Sequence, residues 1–141
     1  MFHKLNAEDI QKSLQGTTRQ YLVGQLNLPQ NLSHIDDANI EIGVTDYKEY
    51  TIEPPHSHKV AFEYQYMISG KTKYFDVDTN EETCYVAGDF YRIDPGTRYA
   101  QKALGGTTIL FVKTPPGNDK IVVETTDAVE LWFKDRERAT F

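Results

Sequence analysis

After residue 16 the helical period disappears from this chain. What replaces it is a succession of short alternating runs, each closed by turn residues. "ANIEIGVTDYKEYTI", "AFEYQYMISG", "KTKYFDV", "TCYVAG", "DFYRID", "RYAQKAL", "TTILFVKT", "KIVVETT" and "AVELWFK" all read as strands. They are rich in β-branched and aromatic residues, which suit a pleated, half-buried surface. "SGKT", "DVDTNEE", "DPGT", "LGG" and "PPGND" supply the turns between them. Many short strands with evenly spaced turns predict an all-β sandwich or barrel. One helix precedes them, over residues 7–15. Asn6 is placed to N-cap it, Leu5 and Ile10 have the spacing of a hydrophobic staple, and Gly16 offers the left-handed residue that ends it.

The chain has 141 residues, the length of one domain with a substantial core. Its formal net charge is −6 with no basic stripe, which argues against nucleic acid as a partner. No apolar stretch approaches the roughly 20 residues that cross a bilayer. The single cysteine, Cys84, rules out an intramolecular disulfide and fits a reducing compartment. It is expected to be buried and inert. "MFHKLNAEDIQKSL" lacks the apolar run of a signal peptide, so the expected location is the cytoplasm. The charged tail "KDRERATF" is expected to be exposed, or to pack on a partner subunit through its last Phe. His3 and His34 read as solvated.

Chemistry concentrates in "PPHSHKVAFEYQYMISG", residues 54–70. Residues i and i+2 of a strand share a face, so His56 and His58 point the same way. The double proline suits a strand start or an edge. Two imidazoles and a carboxylate form a facial set for Fe(II) and related ions, and Glu63 completes it if the chain bends across "KVAF". Gln65 and Met67 share the face of Glu63 and are expected to line a cavity, with core filling the equal alternative for Met67. Arg92 and Arg98 are candidates to grip an anion, or else surface ion pairs.

The pattern His56-x-His58, four residues, Glu63, six residues, Gly70 resembles the first motif of the cupin family. "GDFYRIDPGTRYAQ" resembles its second, with Gly88, Asp89, Pro95, Gly96 and Thr97 in place. Two departures stand out: Tyr50 occupies the position of a glycine before the first motif, and Tyr99 that of the usual second-motif histidine. The resemblance covers roughly residues 40–113. It implies a cupin double-stranded β-helix, a jelly-roll-like barrel that is generally dimeric, with the segment 114–141 forming peripheral strands. It also implies a divalent transition metal (Fe, Mn, Ni or Zn) on His56, His58 and Glu63. Tyr99 is then a phenolate ligand, a substrate contact or acid–base group, or a packing residue. Gln101, two residues further on, is its neutral partner beside a substrate.

Three functions follow. The first is a metal-dependent isomerase or dioxygenase acting on a small polar metabolite, with Tyr99 and Glu63 catalytic and Gln65, Met67, Arg92 and Gln101 around the substrate. The second is a metal-free sugar-nucleotide isomerase or epimerase that uses histidine and tyrosine as acid and base. The third is a non-catalytic small-ligand sensor or binding module. A homodimer is expected in each case.

Overall fold

The computed structural model describes residues 1–136 and 141. In chain order the elements are α1 (Ala7–Gln15), β1 (Arg19–Val23), β2 (Glu41–Tyr47), β3 (Thr51–His58), β4 (Phe62–Ser69) and β5 (Lys71–Asp76). They continue with β6 (Glu82–Val86), β7 (Phe90–Ile93), β8 (Tyr99–Ala103), β9 (Thr107–Thr114), β10 (Lys120–Val122) and α2 (Asp127–Lys134). Two five-stranded sheets result, ordered β1-β2-β9-β4-β7 and β10-β3-β8-β5-β6. Apart from the hairpins β1–β2 and β5–β6, strands consecutive in the chain pass from one sheet to the other, as β3 to β4 does, so both motif segments contribute to both sheets.

Alternation decides which side chains point inward. Along β9 buried and part-buried residues alternate without a break. The inward residues Tyr47, Met67, Tyr74, Tyr91, Tyr99, Ala103 and Ile109 pack into one cluster between the sheets. Gly70 makes the turn from β4 to β5 at φ +80°, where any β-carbon would collide with Thr107. The motif glycine therefore answers both a backbone and a space requirement.

At the N-terminus, Asn6 Oδ1 accepts the Asp9 N–H at 2.9 Å, a cap worth about 1 kcal/mol. Gly16 does not adopt the expected left-handed conformation. Its φ of −98° is right-handed, because the chain runs on into β1 without reversing.

The C-terminal segment departs furthest from expectation. "AVELWFK" is helix rather than strand: Thr126 Oγ1 accepts the Val129 N–H at 3.2 Å, and Val129 and Trp132, three residues apart, face Phe75 and Ala100 on the outside of the second sheet. The described residues of the segment 114–141 thus contain one short strand and a helix. The long run 38–52 divides into β2 and β3, and "RQYLV", not anticipated, forms edge strand β1. Beneath α2 lies Lys102, almost wholly buried. Its ammonium donates to the carbonyls of Trp132 (2.9 Å) and Asp135 (2.8 Å) at the end of the helix. Burial pulls its pKa down.

Cys84 is exposed rather than buried, since β6 is the outermost strand of its sheet. Phe141 is buried, edge-on to Tyr50 of its own chain, while residues 137–140 of the tail lie outside the described residues. Among the described residues no helix is long and apolar enough to cross a membrane.

Candidate active site

The double proline sets the geometry of the histidines. Strand β3 pairs with β8 in regular register as far as Glu53↔Gln101, and the register then shifts before His56↔Tyr99. The irregularity falls on Pro54 and Pro55, which have no N–H to give to the ladder. It leaves His56 directly opposite Tyr99. His58 follows on the same face, and the chain then bends over 59–61 into the facing sheet, where β4 brings in Glu63 and Gln65. A cavity of about 180 Å³ lies between the sheets, lined among others by His56, His58, Glu63, Gln65, Tyr99 and Gln101. Both histidines are only 8% exposed.

Two residues apart, the histidines have opposite surroundings. His56 Nδ1 lies 3.0 Å from the Pro54 carbonyl, which only accepts, so that nitrogen carries the proton. Its Nε2 is then free to accept the Tyr99 hydroxyl at 3.0 Å. Burial lowers the pKa of His56, and the charge of Lys120 adds to this. His58 stands between two carboxylates, with Nδ1 2.8 Å from Asp119 Oδ1 and Nε2 3.1 Å from Glu63 Oε1. Burial disfavours its charge, but the hydrogen bonds and charge of those carboxylates outweigh it, and its pKa is raised. One ring is held neutral and the other as imidazolium.

The partners are themselves anchored. Burial alone would raise the pKa of Glu63, but the hydrogen bond and charge of His58 bring it below its usual value. Gln65 Nε2 donates to Glu63 Oε2 at 3.1 Å, and Gln65 Oε1 accepts the hydroxyls of Tyr74 and Tyr91, each at 3.0 Å. Asp119 Oδ2 takes the backbone N–H groups of Val60 and Ala61 at 3.0 and 2.8 Å, and Lys113 Nζ lies 3.0 Å from Oδ1. Burial opposes ionisation of Asp119, yet these donors depress its pKa strongly. Burial and the charge of Glu63 push the Tyr99 hydroxyl well above its ordinary value, so it is a neutral donor. The second-motif turn also supports the site: the Gly96 N–H donates to the His58 carbonyl at 2.8 Å.

Of the sequence-derived candidates, His56, His58, Glu63, Gln65, Tyr99 and Gln101 meet at the cavity. Met67 shares their face but is fully buried in the tyrosine cluster, because β4 runs on past the cavity into the packed end of the barrel. Arg92 lies opposite Tyr64 on the outer face, ion-paired to Asp94 at 2.6 Å over the rings of Phe62 and Tyr64. It does not line the cavity. Arg98 pairs with Asp78 at 2.8 Å. Asp119, Lys113, Lys120 and the Arg19–Glu53 pair were not anticipated. Alternation along "TTILFVKT" carries the signal for Lys113, on the same face as Ile109 and Phe111. Asp119, within the turn "PPGND", carries none.

The metal-ligand set is only partly assembled. Each histidine has its Nδ1 pinned, as a ligand's outer hydrogen bond would pin it, and His58 lies close to Glu63. His56, however, turns its free nitrogen to Tyr99. Among the described residues no group of three or more His, Cys, Asp or Glu side chains is arranged to hold a metal ion. The donors as they stand do not fit the expected three-ligand site.

No protein-family model matches the chain, and no curated protein matches it. Solved structures do. The nucleoside dehydratase Pac13, from Streptomyces, superposes with a TM-score of 0.55 at 16% identity over 67% of this chain and 76% of that one. A Klebsiella pneumoniae protein with a double-stranded β-helix domain gives 0.54 at 19% identity, over 74% of this chain and 92% of the other. An RmlC-like cupin from Desulfovibrio desulfuricans gives 0.51 at 16%, over 66% and 97%. The fold is the cupin double-stranded β-helix.

Proposed function

We propose that this cupin-fold chain is an enzyme of the metal-free acid–base kind, moving protons on a small polar metabolite to isomerise, epimerise or dehydrate it. The observation that carries the reading is the buried His56–Tyr99 hydrogen bond, facing a second histidine held between two carboxylates in one cavity. Paired titratable groups whose environments push them in opposite directions divide naturally into base and acid. A proton taken from substrate by the Tyr99 oxygen sends the hydroxyl's own proton to His56 Nε2, so the pair acts as a relay and no buried phenolate persists. His58 then offers its Nε2 proton, or its positive charge, to the oxygen on which negative charge develops. Glu63, Asp119 and Gln65 hold that ring in place. Dehydration of a nucleoside, the reaction named for Pac13, is within reach of such a pair.

The test is incorporation of deuterium from D2O into sugars, sugar nucleotides and nucleosides, using protein whose metal content has been measured and then stripped with chelator. Exchange by metal-free protein, lost in His56→Ala and Tyr99→Phe, is the expected result. Activity that disappears on chelation and returns with iron, manganese, nickel or zinc would overturn it in favour of the metal reading. Tight ligand binding with no exchange would make the protein a binding module.

We also infer a cytoplasmic homodimer. The unpaired Cys84 supports the compartment. An exposed apolar strip on the first sheet, where Tyr66 lies opposite Phe90 with Ile68 beside them, supports the second copy.

A further inference from the structure

We infer that the cavity takes a substrate bearing an oxyanion, a phosphate or a carboxylate, and that Lys120 receives it. The inference rests on the acid–base reading for the identity of the cavity as the reaction site. Strand β10 lies at the edge of the second sheet, in register with β3, with Lys120 opposite His58 and Val122 opposite His56. Residues directly opposite in an antiparallel pair project to the same face. Lys120 therefore stands over the face that carries both histidines, and it lines the cavity with them.

The other charged groups lining the cavity are already engaged. Arg19 faces Glu53 at 3.7 Å and donates to Thr45 Oγ1 at 3.0 Å. Lys113 is held by Asp119 and by the Gly117 carbonyl. His58 is matched by Glu63 and Asp119. Glu41 accepts the Gly117 N–H at 3.2 Å and is thereby tied to the loop leading into β10. Among the described residues, Lys120 has no hydrogen-bond or ion-pair partner. An ammonium with no carboxylate of its own, beside a ring kept neutral, attracts an anion without disturbing the acid–base groups. Asn118, two residues before it on the same rim, adds an amide donor. The chemistry at the floor is unchanged by this assignment: Lys120 grips the handle, and the reacting carbon reaches His56 and Tyr99.

The experiment titrates inorganic phosphate and, separately, acetate into the full chain at constant ionic strength, following backbone amides and the His56 and His58 ring signals by NMR. Saturable shifts around Lys120, Asn118 and His56 are expected, with affinity retained in Lys120→Arg and at least tenfold weaker in Lys120→Met. A response to phosphate alone marks a phosphate-bearing substrate; a response to acetate as well marks a carboxylate. The proposal is overturned if neither anion gives saturable shifts in the cavity, or if Lys120→Met binds as the parent does. Tyr99→Phe separates the two readings: it should abolish proton exchange while leaving phosphate binding intact. Loss of exchange in that variant, with neither anion binding the parent protein, would sink the anion site alone.

Discussion

The interior of this barrel has two ends built on opposite principles. At the packed end Met67 and Ile109 sit among Tyr47, Tyr74 and Tyr91. At the open end β3 contributes His56 and His58 and β4 contributes Glu63 and Gln65, and hydrogen bonds do the holding. Strand β4 passes through both, from Glu63 through Gln65 to Met67. Gln65 joins them, with its amide nitrogen on Glu63 and its oxygen under the Tyr74 and Tyr91 hydroxyls. A packed end tolerates little change in volume but carries no chemistry. At the open end burial favours the neutral ring of His56, while Glu63 and Asp119 outweigh burial at His58.

Breaking the open end should produce the largest effect. Tyr99→Phe or His56→Ala is expected to lower the rate of substrate proton exchange by about 10²–10⁴-fold, the usual contribution of a positioned acid or base. For Tyr99→Phe, the loss of one hydrogen bond should cost only about 1 kcal/mol in urea unfolding. Met67→Ala reverses the pattern. It should cost about 2–5 kcal/mol of stability by the same unfolding measurement, with the histidine ring signals little changed.

The pH response sharpens the contrast within the open end. His58 has a raised pKa, so its contribution to stability is complete below the usual imidazole value of 6.5 and is lost as pH rises through the higher folded value. His56 is lowered and works the other way: its folded environment favours the neutral ring, and stability falls as pH drops below 6.5 towards its folded value. Asp119, depressed, contributes above its ordinary 3.8 and loses that contribution as pH falls below it. NMR titration should place the His58 midpoint above 6.5 and that of His56 below it. Asp119→Asn should bring the His58 midpoint down and leave His56 nearly unmoved. Equal midpoints in the parent protein would contradict the assignment of one neutral and one charged ring.

The smallest effect on the interior should come from outside it. Phe90→Glu, on the exposed strip, is expected to halve the mass seen by light scattering while leaving both histidine titrations as they were. A parent protein that is already monomeric would remove the second copy.

Residue spacing alone made much of the site legible. The period of two put His56 and His58 on one face and Glu63, Gln65 and Met67 on another, and the motif glycines and prolines marked the turns. It cannot say where along β4 the cavity stops, so it leaves Met67 open between cavity lining and core filling, and the structure places it in the core. Spacing leaves Arg92 open between an anion grip and a surface ion pair for a similar reason: its facing depends on pairing with Tyr64 across the sheet, which no local pattern encodes, and the structure shows the ion pair. "AVELWFK" satisfied a strand's composition and a helix's period at once, and its Thr126 cap with the outer face of the second sheet decided between them.

What the sequence by itself determined was the all-β architecture, the N-terminal helix and the face shared by the two histidines. These follow from side-chain alternation and turn chemistry, which act over a few residues. Only the tertiary structure decided the state of each histidine. Asp119 lies 61 residues from His58 along the chain and Tyr99 lies 43 from His56, yet each is in direct hydrogen-bond contact. Protonation depends on burial and on charges brought close in space, and those exist only once the two sheets have closed.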